Sequence, residues 1–393
     1  MIKRVIYLVE STFNLRDYKR FGIEALEKNS FDVEVWDLTQ ILQPATYRSY
    51  MPPDKFGYEG LITFTNKEDL LKGLSSLGEN DFVIALLGYY LKAAFVYRAL
   101  SKLISGYALV TANAVPDIEE LRPPSKIERL KNIFPITPIR LKSGISARLA
   151  FSKFPFRWFG IKPARLMLAG GECSGNYPYP VSGATEIIWI HSLDYDRYLE
   201  EMSSQREDSP PKVVFLDEYA PFHPDWEHLG FGWPVSADKY YRLLNNFFQI
   251  VEDALGMDVV IAAHPRSHCD KVKAYFGDRL VIIGQTCRLV RESSLVLCHA
   301  STSLSFANLF GKPALFMTFA ELDNHWEGRL ARTMAKRFGK EVIFIDRQTP
   351  IDWGKEMAID RTSYERYKQA FIKKDGTPDL PFWETVSEAI RKL

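Results

Sequence analysis

The feature that most restricts how this chain can fold is an alternation. Short β-rich apolar runs repeatedly give way to longer stretches with helical apolar spacing. In the first half the strand-like runs fall at residues 5–9, 33–36, 61–64 and 82–86, with a helix predicted over 15–28. In the second half they fall at 213–216, 259–262, 280–283, 295–298, 314–317 and 342–345, with helices predicted over 237–255, 303–310 and 326–337. Antiparallel strands can be joined by a tight turn, whereas parallel strands need a crossover. Strand–helix alternation therefore predicts an α/β fold with parallel sheets.

The 393 residues exceed one ordinary core, since domains usually run to about 100 to 200 residues. The polar, proline-closed stretch EEMSSQREDSPP at 200–211 is the best boundary. The expectation is a first doubly wound, Rossmann-like domain over 1–200, a linker at 201–211 and a second such domain over 212–380. A terminal amphipathic helix, spaced by Phe382, Val386, Ile390 and Leu393, is expected to pack back on the first domain. Two such sheets face each other across a cleft at the carboxyl ends of their strands, where open α/β sheets bind ligands.

Composition narrows the function. Apolar residues at 46% and charged residues at 25% describe a globular chain rather than a disordered one. A net charge of +1 provides no global field for nucleic acid. The run 82–97 contains Gly88 and falls short of the ~20 residues of a spanning helix, so it reads as strand, loop and buried helix. At the start, Glu10 interrupts the apolar run before it could serve as a secretory leader. Cys173, Cys269, Cys287 and Cys298 lack paired zinc spacing, and are expected as small core residues in a reducing cytoplasm.

Two strand ends carry chemistry. The run 259–263 leads into His264, Pro265, Arg266 and Ser267, an imidazole, a rigid turn and a guanidinium suited to a phosphate or carboxylate. The run 295–298 leads into His299, Ala300, Ser301, Thr302 and Ser303 before an apolar helix, where hydroxyls can cap the helix and donate to phosphate. Each motif has a plain structural reading, a turn for His-Pro and an N-cap for Ser-Thr-Ser. Their occurrence in order, each after a strand of one sheet, favours the site.

Over roughly residues 213–320 the chain resembles bacterial surface-polysaccharide glycosyltransferases of the B fold, the group that includes sialyltransferases, polysialyltransferases and capsular Kdo transferases. The carriers are His264-Pro265, Ser301-Thr302-Ser303 and the continuation through Gly311-Lys312-Pro313. The resemblance implies that His264 and the 301–303 hydroxyls hold the phosphate of a nucleotide-sugar donor, without a metal in the CMP-sugar members. It also implies an acidic motif, Asp/Glu-Asp/Glu-Gly, whose first carboxylate is the base. The nearest match here, Asp217-Glu218-Tyr219, has Tyr in place of Gly and follows the linker.

On physical grounds Asp217 and Glu218 end a strand, and adjacent carboxylates in a cleft can be driven apart in pKa. Glu10 and Glu172, the latter beside Gly171, are rival acidic residues on the acceptor side. His264, His268 and Cys269 could hold a metal, but Pro265 breaks a helix through them and no HExxH is present. A Rossmann GxGxxG, a P-loop and a Gly-x-Ser-x-Gly elbow are all missing. From Arg129 to Arg165 nine Lys or Arg occur without an acid, interleaved with aromatics, as at an anionic lipid surface or over a buried aromatic cluster.

The reading that follows is a metal-independent sugar transfer, expected to be inverting, in the cytoplasm or at the inner membrane face. The expected donor is a CMP-linked nonulosonic acid, and the acceptor an oligosaccharide or lipid-linked surface glycan, with no further cofactor. The donor would meet His264, Pro265, Arg266, His299, Ser301, Thr302 and Ser303. Catalysis would fall to Asp217, Glu218 and His264, with Glu10, Gly171 and Glu172 toward the acceptor. A teichoic-acid-type polyol-phosphate transferase and a non-catalytic glycan-binding protein are the alternatives.

Overall fold

The computed structural model describes residues 1–49, 56–112, 115–116, 160–175, 180–205, 210–223, 233–265, 267 and 273–393. The first sheet contains β1 (Arg4–Val9), β2 (Asp32–Asp37), β3 (Leu61–Thr63), β4 (Asp81–Leu86), β5 (Tyr107–Thr111), β6 (Leu166–Ala169) and β7 (Glu186–Trp189). The second contains β8 (Lys212–Leu216), β9 (Asp258–Ala263), β10 (Val281–Ile283), β11 (Leu295–Cys298), β12 (Ala314–Thr318) and β13 (Val342–Phe344). Their spatial orders are β3-β2-β1-β4-β5-β6-β7 and β10-β9-β8-β11-β12-β13. Both follow the Rossmann order, in which the chain reverses direction beside the first strand.

Period-two alternation explains the apolar strand runs. Val5, Tyr7 and Val9 join the core on one face of the first sheet, while Ile6 and Leu8 join the core on the other. In the second sheet Val213 and Phe215 face one core, and Val214 and Leu216 the other. With helices covering both faces, neither side of a strand can be polar. The longest crossover helix, Ala237–Leu255, begins where Ser236 accepts from the Lys239 amide and ends at Gly256 in the left-handed region, φ +63°.

Several expectations need correction. The single helix predicted over 15–28 is two, Leu15–Arg20 and Ile23–Lys28. Gly22 separates them at φ +57°, and a Cβ there would lie 2.1 Å from the Trp383 ring. Strands β5, β6 and β7 went unread because they are only 5, 4 and 4 residues long and two of them, LMLA and EIIW, give little alternation. The linker predicted at 201–211 starts later, since the helix Leu193–Ser203 continues through its first residues. Of the thiols, Cys298 is buried but Cys173 is exposed and Cys287 is half-buried. Residues 129–159 of the basic, aromatic stretch, residues 206–209, Arg266, His268 and Cys269 lie outside the described residues. Among those described, no helix is long and apolar enough to cross a membrane.

The chain passes between the domains twice. It leaves the first through Leu193–Ser203, whose Tyr195 packs in the second domain's core. It returns to place the helix Phe382–Arg391 against the first, where Phe382, Trp383, Val386 and Ile390 complete the β1 core. Trp383 donates its indole N–H to the Arg20 carbonyl at 2.8 Å and meets the Tyr7 ring edge-on at 5.5 Å. Trp383→Ala is expected to destabilise the protein by about 3 to 5 kcal/mol, read as a lowered urea midpoint, because it empties a filled site and orphans that carbonyl.

Candidate functional site

In the second sheet the chain direction reverses between β8 and β11, so their following loops diverge and open a crevice. Register brings the strand ends level: Leu216 pairs with Ala262 and Phe215 with Leu297. Asp217 and Glu218 follow β8, His264 and Pro265 follow β9, and Ser301, Thr302 and Ser303 follow β11, all lining one cavity of about 240 Å³. Glu327, on the helix Trp326–Arg337, and Arg16, from the first domain, complete its wall.

The serine and threonine hydroxyls are not used as caps. Ser303 stands at the N-cap of the helix Leu304–Leu309 with φ −66° and ψ −4°, a conformation in which it makes no side-chain cap bond. The turn is closed instead by main-chain bonds, Leu304 N–H to Ser301 O and Ser305 N–H to Thr302 O, each 3.2 Å. Ser301 Oγ accepts weakly from Ser303 N–H at 3.3 Å. Thr302, exposed, and Ser303, half-buried, turn toward the cleft with no side-chain hydrogen bond among the described residues.

At the neighbouring strand end, Ser267 donates both its N–H and its Oγ–H to the His264 carbonyl, at 2.9 and 2.7 Å. This closes the turn and leaves the His264 ring edge-to-face with His223, centroids 4.9 Å apart. His299 is placed differently from the residues after it. It is fully buried, does not line the cleft, and donates Nδ1–H to the Met317 carbonyl at 2.7 Å. Burial keeps this imidazole neutral, with Nε2 unpartnered among aromatic rings.

Three carboxyls sit in the same wall with different surroundings. Asp217 is 4% exposed; its Oδ1 accepts the Tyr219 N–H at 3.0 Å. Burial raises it to about 7, against the pull of the Tyr219 and His264 amides. Glu218 is half-buried and its Oε1 accepts the Ala300 N–H at 2.7 Å, which ties the β8 loop to the Ser-Thr-Ser turn. Glu327 is 6% exposed, and burial followed by the neighbouring Glu218 pushes it well above the usual carboxylate range.

Across the cleft, Arg16 brings a permanent cation on the helix Leu15–Arg20, whose N-cap Asn14 accepts from Asp17 N–H at 3.1 Å. Sequence reasoning missed Arg16 and Glu327 because each sits in an ordinary helical pattern. Their only signal was position near a domain edge. The acceptor-side residues do not line this cleft. Glu10 ends β1 at the first sheet's own reversal point, where Gly88 N–H at 2.6 Å, Gln43 Nε2 at 3.2 Å and the Tyr90 hydroxyl all donate to it. Gly171 packs against main chain, since a Cβ there would lie 2.4 Å from Phe371 N. Glu172 is exposed on the helical turn Glu172–Gly175.

No protein-family model matches the chain, and no curated protein matches it. Among solved structures it is similar to the S. aureus MnaA–UDP co-structure at 10% identity and TM-score 0.51, covering 100% of this chain and 97% of that one. It is also similar to a histidine-to-asparagine variant of the wall teichoic acid polymerase TagF at 11% identity and TM-score 0.51, covering 99% and 88%. At such identities the likeness concerns the fold. The architecture is glycosyltransferase-B, two Rossmann-like α/β domains facing a cleft.

Because burial lifts Asp217 from 3.8 to about 7, the folded protein binds the extra proton between those values. The stability this group contributes is full below the lower value and is lost as pH rises through the upper one. Asp217→Asn keeps the acceptor for Tyr219 N–H and removes the charge. The variant should therefore match the wild type near pH 4 and exceed it at pH 8 by ~4 kcal/mol in denaturant unfolding.

Proposed function

We propose that this protein is a metal-independent glycosyltransferase that takes a sugar from a nucleotide donor held in the cleft of the second domain. The observation that carries the reading is convergence. The uncapped hydroxyls of Thr302 and Ser303, the His264 ring and the Arg16 guanidinium from the opposite domain all border one cavity. Hydroxyl donors, an imidazole and a guanidinium suit a phosphate whose charge grows as the glycosidic bond breaks. Pro265 stiffens the turn, and Arg266 adds a second guanidinium in the same loop sequence.

Local electrostatics support an anionic donor despite three carboxyls in the wall. Burial favours the neutral forms of Asp217 and Glu327, so the repulsion near pH 7 is smaller than a formal count suggests. Both acids line the cavity, but Glu218, only half-buried, is better placed than the deeply buried Asp217 to take a proton from an acceptor hydroxyl. The donor favoured by the His-Pro and Ser/Thr motifs is a CMP-linked nonulosonic acid, transferred with inversion to a surface glycan or its lipid-linked form. Membrane-surface contact through the basic stretch 129–165 would bring such an acceptor close, and Glu10, Gly171 and Glu172 belong to the first domain, on the acceptor's side.

Two findings favour neighbouring readings. The MnaA structure contains UDP, which argues for testing UDP-sugars beside CMP-sugars. The likeness to a wall teichoic acid polymerase along 99% of this chain supports, as a second reading, transfer of a polyol phosphate.

A thermal-shift panel of CMP, UDP, CDP and GDP tests the donor, since a ligand that binds only the folded state raises the melting temperature. CMP should give the largest shift, and a UDP or CDP preference would redirect the assignment. His264→Ala should raise donor KM and lower kcat together, on the order of tenfold or more in kcat/KM, and unchanged kinetics in the folded variant would refute this site. Arg16→Ala should weaken donor binding about as strongly, because it removes a charge-assisted contact.

A further inference from the structure

Glu327 is a buried acid with an unusual neighbour. It lies in the first turn of the helix Trp326–Arg337, is 6% exposed, and leaves Oε2 without a hydrogen-bond partner among the described residues. It borders the same cavity as Glu218, and the two carboxyls interact directly enough for Glu218 to hold the Glu327 proton on. Glu218 is itself anchored at 2.7 Å to the amide of Ala300, immediately before the Ser-Thr-Ser turn. Among the described residues neither carboxyl has an ion-pair partner. Two neighbouring carboxyls without a paired cation in a buried wall favour a proton on one of them, because two like charges there repel strongly.

We propose that Glu327 is a positioning residue for Glu218: it carries the single proton the two carboxyls share and donates it as a hydrogen bond that holds Glu218 toward the acceptor hydroxyl. The inference rests on the glycosyl-transfer reading. In the transfer, the acceptor oxygen bonds to the anomeric carbon while the bond from that carbon to the donor phosphate oxygen breaks. The electron pair leaves on the phosphate and the acceptor proton passes to Glu218. Glu327 keeps its own proton throughout.

The groups facing the pair set its pH dependence. Tyr240, from the helix Ala237–Leu255, lies near both carboxyls, His299 and Cys298 at the end of β11 lie near Glu218, and Asp217, His223, His264 and Arg16 border the same cavity. When Glu327 ionises the hydrogen bond is lost and a second negative charge appears beside the donor phosphate. Burial and Glu218 both delay that ionisation.

Two measurements test the proposal. In protein labelled with 13C at the glutamate carboxyls, one signal should stay protonated above the pH at which ordinary glutamates ionise. That signal should vanish in Glu327→Gln and move to lower pH in Glu218→Gln. In a glycosyl-transfer assay, wild-type kcat/KM should fall at alkaline pH. Glu327→Gln, which still donates a hydrogen bond, should remain within about threefold of wild type at neutral pH and lack the alkaline limb, while Glu327→Ala loses on the order of tenfold in kcat. A Glu327 carboxyl that ionises with the bulk glutamates, or an alkaline limb that persists in the Gln variant, overturns the proposal. If no nucleotide sugar supports turnover, the transfer reading fails and the role at Glu218 falls with it, and the carboxyl titration then decides the shared proton by itself.

Discussion

Among the described residues every strand pairing in both sheets is parallel, and this constraint governs where everything else must go. A parallel strand cannot be reached by a tight turn, so the chain crosses back over one face of the sheet before each new strand. Both faces become covered, both must be apolar, and all the strands of a sheet end on the same side. The loops with freedom to carry function are therefore collected at that edge. The cleft of the second domain opens where β8 and β11 part, and the same reversal in the first domain lies between β1 and β4, beside Glu10.

What turns two such sheets into one site is the pair of passages between them. Asp194 begins the first passage. It is half-buried, accepts a hydrogen bond from Ser305 at 2.8 Å, and feels the charges of Arg16, Arg20 and Arg197. The second passage is anchored where Ile372 O accepts Ser192 N–H at 2.6 Å and Asp196 accepts Phe382 N–H at 2.9 Å. Asp194 thus stands between the helix that follows the Ser-Thr-Ser turn and the helix that bears Arg16. That arrangement gives a physical reason for a first-domain cation to border a second-domain cavity. Gly171, packed on the main chain of the returning segment, belongs to the same junction.

Within the cleft, burial sorts residues of the same chemical type into different roles. Asp217 and Glu218 are adjacent in sequence and both line the cavity, yet the strand geometry buries the first and leaves the second half-exposed. His264 and His299 both follow strands, but one lines the cavity and the other is locked below it by Met317 O. Hydrogen-bond donors placed at the surface of such a wall cost little reorganisation when a charged ligand arrives.

The sequence by itself determined the alternation of strand and helix, the two-domain α/β class and the strand ends that lead into His264 and Ser301, because apolar periodicity and turn chemistry are local properties. It could likewise nominate Asp217 and Glu218, since a strand followed by acids is visible in one dimension. It could not separate those two acids, detect that Gly22 breaks a helix under Trp383, or find β5, β6 and β7 among short unpatterned runs. Nor could it bring Glu327 to Glu218 or Arg16 to the opposite cleft. Those juxtapositions span roughly a quarter to three quarters of the chain, and they exist only because parallel crossovers and the two interdomain passages fold remote segments to one edge. Burial, which decides the protonation of Asp217 and Glu327, is a property of that three-dimensional packing and has no local signature.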